Sequence, residues 1–250
     1  MAIAVTHHGK LVYAKGYGYA DTSRKTPVTV NSLFRMASVS KTITATAILK
    51  LVENGKLSLD ATVFGATGVL GTRYGHPPYS SYLTEITIRQ LLQHTAGGWT
   101  NNGADPMFSH PEMTAAQLIS WTIDHQPLEN PPGTVYAYSN FGYCILGRVI
   151  EKVSGMPYAA YVKKAVLQPC GIRGMQIGGN TLAQRKAGEV VYYGQHGEHP
   201  YIYNITRMDA HGGWIASATD LARLLVRIDG FPAPQDILTA ASVSKMTTGS

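Results

Sequence analysis

Residues 34–55 have the sequence FRMASVSKTITATAILKLVENG, and the rest of the chain is organised around this stretch. Its apolar side chains recur at the spacing of one helix face: Ile43, Ala47, Ile48, Leu51 and Val52. Asn54 and Gly55 follow the last of them and supply a helix stop. The pattern therefore predicts a helix from about Ser38 to Glu53.

Ser38 and Lys41 lie at the N-terminal end of this predicted helix. Residues three apart share a helix face, so the lysine amine can reach the serine hydroxyl. A serine becomes a good nucleophile when an adjacent base takes its proton, and burial or positive potential can lower the pKa of a lysine enough for that role. The helix N-terminus supplies such potential, and the N–H of Ser38 can be half of an oxyanion hole. The alternative is a capped amphipathic helix with an exposed lysine.

The same four letters, SVSK, recur at residues 242–245. No sustained apolar helical run follows this second copy, which lies near the end of the sequence. We interpret it as a surface coincidence. The four-residue motif alone is therefore weak support for a nucleophile.

The composition is that of a folded globular protein. Hydrophobic residues make up 44% of the 250 and charged residues only 14%, which argues against a disordered segment. The net charge is +6, but the lysines and arginines are scattered, so nucleic-acid binding is unsupported. No apolar run reaches the length of a membrane span, and no signal peptide is recognisable. Cys144 and Cys170 are interpreted as buried thiols rather than a disulfide.

The sequence divides into a short β part and a long helical part. Residues 1–30 comprise a hairpin, with strands at 3–6 and 11–16, and a connector. Residues 31–250 form a largely helical domain that carries the motifs. Two strands alone are marginally stable, and no later segment shows a strand pattern of equal quality. We therefore predict an α/β protein, in the α+β sense, with only the first hairpin of a larger antiparallel sheet in this chain.

Helix signals are frequent in the second part. Capping-box patterns at Thr87 and Thr114 predict two helix starts. A helix with a buried apolar stripe begins near Asn140 and is ended by Gly155. The last convincing helix covers residues 218–228.

The tripeptide Tyr138-Ser139-Asn140 occurs once and supplies a second group of reactive side chains. A tyrosine phenol can relay a proton between nucleophile and leaving group, and an asparagine amide can orient Lys41 and a substrate carbonyl. Alone, the tripeptide is more simply a packed tyrosine beside an N-capping serine or asparagine. Taken with Ser38, it is interpreted as part of the same site.

The histidines are weaker candidates. His196 and His199 can bind a metal, but two histidines in a polar loop are usually solvated, and we predict neither a metal nor a cofactor. His94 is interpreted as a structural hydrogen-bonding residue at a helix end. His211 either lines the substrate pocket or supports the turn at residues 212–213.

Taken together, these motifs resemble the serine β-lactamase and penicillin-binding-protein-like hydrolases. The similarity is to the branch containing class C β-lactamases, D-alanyl-D-alanine peptidases and family VIII carboxylesterases. Five blocks carry it in the order found in that family: GKLVYAKGYG (9–18), RMASVSKT (35–42), ITIRQLLQHTAGG (86–98), PGTVYAYSNFGYCILG (132–147) and GGWIASATDLA (212–222).

The resemblance implies a β-lactamase/transpeptidase-like fold and a role for each motif residue. Ser38 would be the acylated nucleophile, Lys41 its general base and Tyr138 the proton relay. Asn140 would bind substrate and the lysine, with His211 as a further substrate-binding residue. Because a lysine and a tyrosine in contact share their protons, the resemblance leaves the acylation base open between Lys41 and Tyr138.

The sequence departs from the family pattern in two places. The third motif, Lys-Thr-Gly or His-x-Gly on a strand, should follow the region of Met246 and is absent. The N-terminal helix that packs on the sheet is absent too. We therefore expect a fragment without that helix and without the C-terminal strands. A lost oxyanion donor on the third-motif strand costs about 2.7–4 kcal/mol of transition-state stabilisation.

We predict a serine hydrolase that forms an acyl-enzyme at Ser38, with a carboxylesterase preferred. Tyr79, Tyr82, Trp99 and other aromatic residues are the expected lining of an apolar acyl pocket. A class C-type β-lactamase or a D-alanyl-D-alanine carboxypeptidase is the near alternative. The substrate is accordingly a small-molecule ester, a β-lactam or a D-alanyl peptide.

Two further interpretations remain open from the sequence. A non-catalytic binding or scaffold protein that kept the fold predicts that the Lys41 side chain points to solvent. A chain that is complete in itself predicts additional strands within residues 181–203.

Overall fold

The structure is a computed structural model that describes residues 1–194 and 196–247. Its α-helices are α1 Ser40–Glu53, α2 Ser81–Glu85, α3 Ile88–Leu92, α4 Ala115–His125, α5 Asn140–Ser154, α6 Tyr158–Val162, α7 Ala218–Leu225 and α8 Ala240–Thr247. Its strands are β1 Ala2–His7, β2 Lys10–Gly16, β3 Tyr19–Asp21, β4 Thr26–Pro27, β5 Phe34–Arg35, β6 Gln176–Ile177 and β7 Trp214–Ala216.

The centre of the molecule is α1, as the opening stretch predicts. A 3-10 turn, Ala37–Val39, precedes the helix, so the predicted start at Ser38 is confirmed to within two residues. Four residues of the predicted apolar face are almost fully buried, with Ile43 and Ile48 inaccessible to solvent, and the fifth, Val52, is partly buried. Because α1 packs against α5 and α6, it is enclosed by the helical core rather than lying on the surface.

The helices predicted from capping signals are confirmed. Thr87 and Thr114 each form the reciprocal hydrogen bonds of a capping box at the starts of α3 and α4. The side chain of Ser139 caps α5, and Gly155 ends that helix in the left-handed conformation that glycine adopts without strain. Local sequence chemistry therefore sets these boundaries.

In the described part of the chain, the strands form three small sheets instead of one larger one. The predicted hairpin is confirmed, since β1 and β2 pair antiparallel with a bulge between Val5 and Thr6. Among the described residues the hairpin forms a sheet of its own, and β5, β7 and β6 form a separate three-stranded sheet, in that order, that the sequence does not predict. Its strands are two or three residues long, too short for an alternating pattern. This sheet holds the chain immediately before Ser38.

Three other expectations are wrong. The second SVSK copy is not a surface coincidence, because it lies in α8 with Ser242 and Val243 buried. The helix expected to reach residue 228 ends at Leu225. The strands expected within 181–203 for a complete chain are absent from the described part of that range, where only an isolated bridge joins Glu189 to Leu33.

Candidate active site

Ser38 is positioned by the small sheet. Arg35 on β5 pairs with Ile215 on β7, and the N–H of Met36 donates to the carbonyl of Trp214 at 3.0 Å. Ala37 then takes a φ of +46°, which is unusual for a residue with a side chain and is found where surrounding structure enforces it. The chain therefore turns sharply before Ser38, which is exposed while the next helical turn is buried.

The Lys41 side chain is buried and directed at Ser38. Only 6% of the residue is exposed. Its Nζ donates to Ser38 Oγ at 3.2 Å, to Asn140 Oδ1 at 2.7 Å and to the backbone carbonyl of His211 at 3.1 Å. These contacts occupy all three N–H bonds of the ammonium group. The scaffold-protein interpretation predicts that the Lys41 side chain points to solvent, and this prediction is wrong because the side chain is buried.

The same contacts define what the amine does when it is neutral. Asn140 Oδ1 and the His211 carbonyl only accept hydrogen bonds, so both continue to require an N–H from Lys41. A neutral amine has two N–H bonds and one lone pair. The two acceptors take the N–H bonds, and the lone pair is left facing the Ser38 hydroxyl, as a base must be.

Burial brings the Lys41 amine into a range where it can accept a proton. Desolvation disfavours the ammonium form and lowers its pKa from 10.5 to about 8, while the negative charge of Asp105 opposes part of this shift. A substantial neutral fraction therefore exists in weakly alkaline solution.

The structure brings Tyr138 to the same hydroxyl. Its OH donates to Ser38 Oγ at 2.7 Å, and Lys41 Nζ lies 4.7 Å from the centre of its ring. Ser38 Oγ is therefore contacted by both a phenol and an amine. The structure thus brings together the serine, lysine and tyrosine that the sequence motifs predict in one site, and their catalytic roles remain a prediction.

His94 holds the segment that carries Tyr138. Its Nδ1 accepts the N–H of Ser139 at 3.0 Å, and its carbonyl accepts the N–H of Ala137 at 2.7 Å. The imidazole also stacks on the Tyr138 ring with centroids 4.5 Å apart. Because Nδ1 accepts a hydrogen bond, the proton of the neutral ring is on Nε2. These contacts fit the structural role that the sequence suggests for His94.

His211 contacts the site through its backbone. The residue is 1% exposed, and its carbonyl, rather than its ring, reaches Lys41. The neighbouring carbonyl of Ala210 accepts a hydrogen bond from Thr44 of α1 at 2.6 Å, which fixes this segment against the helix. The substrate-binding role given to the His211 side chain remains a prediction.

Asp105 is a site residue that the sequence reasoning missed. It is 3% exposed, and its Oδ2 accepts a hydrogen bond from Asn140 Nδ2 at 2.8 Å. The signal available in the sequence is an aspartate followed by Pro106, a combination typical of a helix N-cap. Asp105 does cap the 3-10 helix Pro106–Phe108. That signal predicts the cap but gives no indication of the contact with Asn140, 35 residues away.

A cavity of about 690 Å³ opens beside the reactive groups. Its lining residues are Ser38, Lys41, Thr42, Ala45, Leu49, Leu59, Arg89, Leu92, Gln93, His94, Thr95, Tyr136, Tyr138, Tyr143, Lys245 and Met246. The prediction of an aromatic lining is therefore wrong for Tyr79, Tyr82 and Trp99, and the aromatic residues that line this cavity are Tyr136, Tyr138 and Tyr143. The indole of Trp99 packs on Phe141 in the core instead.

The structure offers no metal site within its described residues. In the ranges 1–194 and 196–247, no group of three or more His, Cys, Asp and Glu side chains is arranged to hold an ion. Cys144 and Cys170 are free thiols, and Cys144 is buried as the sequence suggests, whereas Cys170 is only partly buried. Within the same ranges, no helix is long and apolar enough to cross a membrane.

Comparison with known proteins identifies the family. The beta-lactamase family profile matches residues 1–250. Esterase EstB of Burkholderia gladioli is 34% identical over 68% of this chain and 44% of its own length. Penicillin-binding protein 4* of Bacillus subtilis is 32% identical over 79% of this chain and 40% of its own length. The chain belongs to the beta-lactamase family.

Solved structures support the same assignment. A penicillin-binding protein homologue from Pyrococcus abyssi superimposes with a TM-score of 0.79 at 28% identity, over 99% of this chain and 55% of that one. The D-alanine carboxypeptidase AmpC from Burkholderia cenocepacia superimposes with a TM-score of 0.74 at 25% identity, over 97% of this chain and 62% of that one. The fold is therefore β-lactamase/transpeptidase-like, as predicted. The chain spans about half the length of the curated relatives it matches.

Acid is expected to destabilise the protein through His94 and His211. Burial, followed by the charge of Lys41, lowers the pKa of His94 from 6.5 to about 4 and that of His211 well below 6.5. The unfolded chain binds these protons at a higher pH than the folded protein does. The free energy of unfolding is therefore highest above pH 6.5 and falls as the pH decreases toward about 4.

Urea denaturation at several pH values in this window measures the effect. His94→Gln should reduce the pH dependence, whereas His7→Gln, at an exposed position of the hairpin, should leave it as in the unmodified protein. A free energy of unfolding that is constant over the window would contradict the prediction.

Proposed function

We propose that this protein hydrolyses an ester through an acyl-enzyme on Ser38, as a carboxylesterase. The observation that carries the proposal is the contact of Ser38 Oγ with both the buried Lys41 amine and the Tyr138 phenol. A hydroxyl held between two such groups can lose its proton as it attacks. Neither a metal nor a cofactor has a part in the proposed reaction.

In the acylation step, Ser38 Oγ attacks the ester carbonyl and its proton moves to the neutral amine of Lys41. The carbonyl oxygen becomes negative, and the backbone N–H of Ser38 is one donor placed to stabilise it. The C–O bond to the alcohol then breaks. The leaving alkoxide takes a proton from Tyr138, which regains one from the Lys41 ammonium, so that an alcohol and an acyl-Ser38 ester are formed.

Deacylation uses the same groups on water. The neutral Lys41 amine accepts one proton from a water molecule as the water attacks the acyl carbon, with the Tyr138 phenol relaying it by giving its own proton to Lys41. The bond to Ser38 Oγ breaks, the serine recovers a proton, and a carboxylic acid leaves. The sum of the two steps is one ester and one water converted into one acid and one alcohol.

The lining of the cavity supports an ester with an apolar acyl group. Leu49, Leu59, Leu92 and Met246 contribute aliphatic surface, and Tyr136 adds an aromatic ring. Sites of this kind recognise mainly by apolar contact and use few polar groups for orientation. Similarity to the esterase EstB points the same way.

The cavity also contains an observation that favours a second candidate. Lys245 and Arg89 line it together with Lys41, and the guanidinium of Arg89 also pairs with Asp60 at 2.8 Å, so the cavity has cationic side chains that are only partly neutralised. A β-lactam or a D-alanyl peptide carries a carboxylate that such cations attract. Similarity to a penicillin-binding protein and to a D-alanine carboxypeptidase supports this alternative.

Hydrolysis of three substrates by the full-length protein tests the proposal and ranks the candidates. We expect turnover of p-nitrophenyl butyrate to exceed that of nitrocefin and of a peptide ending in D-alanyl-D-alanine. Lactam or peptide turnover without ester cleavage would reject the esterase and favour the second candidate. A protein that turns over none of the three and is not labelled by a fluorophosphonate or a penicillin would be a binding or scaffold protein.

A further inference from the structure

We propose that Asp105 is a positioning residue that fixes the direction of the Asn140 amide and, through it, the direction of the Lys41 lone pair. The proposal rests on the proposed function, since it assigns to Asp105 a part in activating Ser38. Asp105 touches neither Ser38 nor Lys41 by a hydrogen bond, so it acts through Asn140.

The side chain of Asp105 is held firmly on both oxygens. Oδ1 accepts the N–H of Met107 at 2.9 Å, and Oδ2 accepts Nδ2 of Asn140 at 2.8 Å. The loop that follows is fixed as well, because the buried guanidinium of Arg207 donates to four backbone carbonyls within residues 107–113. Asp105 is therefore part of a rigid wall behind the site.

An ionised carboxylate makes only one orientation of the Asn140 amide acceptable. It can only accept hydrogen bonds, so the NH2 end of the amide must face Asp105. The opposite end, Oδ1, then faces Lys41 at 2.7 Å. With the amide reversed, two acceptors would meet at Asp105, and an NH2 group would take the lone pair of the neutral lysine. Asp105 thus keeps that lone pair available to Ser38.

Asp105 also acts on Lys41 through its charge. The titratable side chains around the amine are Asp105, Tyr138, Tyr143, His94 and His211. Asp105 is the carboxylate in this set, and its charge raises the pKa of Lys41 against the effect of burial. Loss of the charge should therefore move the Lys41 titration to lower pH, whereas loss of a purely structural contact would not.

The variant Asp105→Asn separates these effects from simple unfolding. The new amide can still accept the N–H of Met107 through its oxygen, so the 3-10 helix keeps its cap. Its NH2 group then faces the NH2 group of Asn140, and one amide must turn or shift. We expect kcat/KM for p-nitrophenyl butyrate to fall on the order of 100-fold, as for other misplaced reacting groups. The acid limb of the pH profile should move to lower pH.

A residue swap provides the matched rescue. In the double variant Asp105→Asn/Asn140→Asp, the amide at position 105 donates to the carboxylate at position 140, which accepts from Lys41. The contact between positions 105 and 140 again pairs one donor with one acceptor, now in the reverse direction, and Lys41 again meets an acceptor. We expect the swap to recover most of the lost kcat/KM, with its acid limb shifted to higher pH because the carboxylate now contacts Lys41 directly. If Asp105→Asn does not fold, the swap carries the test.

The Lys41 titration, followed by the chemical shift of its ε-carbon and assigned with Lys41→Met, is independent of turnover. It should move to lower pH in Asp105→Asn and to higher pH in the swap. Unchanged kcat/KM and titration in Asp105→Asn, or a swap less active than that variant at every pH, would overturn the proposal. A wild-type protein that is neither acylated nor active would reject the proposed function, while the titration would still decide the coupling between Asp105 and Lys41.

Discussion

Replacing Ser38 with alanine is expected to abolish both ester turnover and covalent labelling by a fluorophosphonate. Ser38 Oγ is the atom to which Lys41 and Tyr138 both donate, so its removal takes away the only attacking atom of the proposed mechanism. Intact-mass spectrometry measures labelling directly, and release of p-nitrophenol measures turnover. Because Ser38 is exposed, the thermal unfolding midpoint should change little.

The chain contains its own control for this experiment. Ser242 begins the second SVSK copy, and the three residues after it are the same as those after Ser38. It is 6% exposed, and it lies in the first turn of α8, where its N–H donates to Thr239 Oγ1 and its Oγ accepts from Thr239, so it is not presented to a substrate. Ser242→Ala should therefore keep full labelling and turnover. Labelling that survives in Ser38→Ala but disappears in Ser242→Ala would show that the nucleophile is Ser242 and would contradict the prediction.

The two SVSK copies show how far a local pattern predicts a site. Both lie at or in a helix, and four letters cannot distinguish them. The sequence separates them only by the residues after each copy, since the apolar face after Ser38 predicts a buried helix that carries the motif into the core. The prediction for α1 was confirmed because helix periodicity and caps depend on residues within one or two turns.

The features that sequence reasoning missed depend on contacts between distant segments. The sheet formed by β5, β7 and β6 joins residues 34–35, 176–177 and 214–216, and none of these pieces is long enough to show a period. Asp105 is recognisable as a cap, but its contact with Asn140 exists only after folding. A prediction of the acyl pocket from aromatic residue type alone cannot distinguish Trp99, which packs on Phe141 in the core, from Tyr136, which lines the cavity.

Replacing Lys41 with methionine is expected to lower kcat/KM by about 10²–10⁴-fold, the usual effect of a general base. Methionine retains much of the apolar stem but cannot accept a proton. In the unmodified protein, the neutral amine is the active form, and its pKa is about 8. Activity should therefore rise with pH until about pH 8 and then level off, and Lys41→Met should lose this limb.

The variant Tyr138→Phe tests whether the rise of activity with pH, the acid limb of the pH profile, reports the Lys41 amine or the Tyr138 phenol. It removes the hydroxyl that donates to Ser38 at 2.7 Å but keeps the ring that stacks on His94. If Lys41 is the acylation base, this variant should lose turnover rate and still show the limb near pH 8. Loss of the limb in Tyr138→Phe and its survival in Lys41→Met would instead make Tyr138 the base. The lone pair of Lys41, held toward Ser38 by Asn140 and the His211 carbonyl, is the physical reason to expect the first outcome.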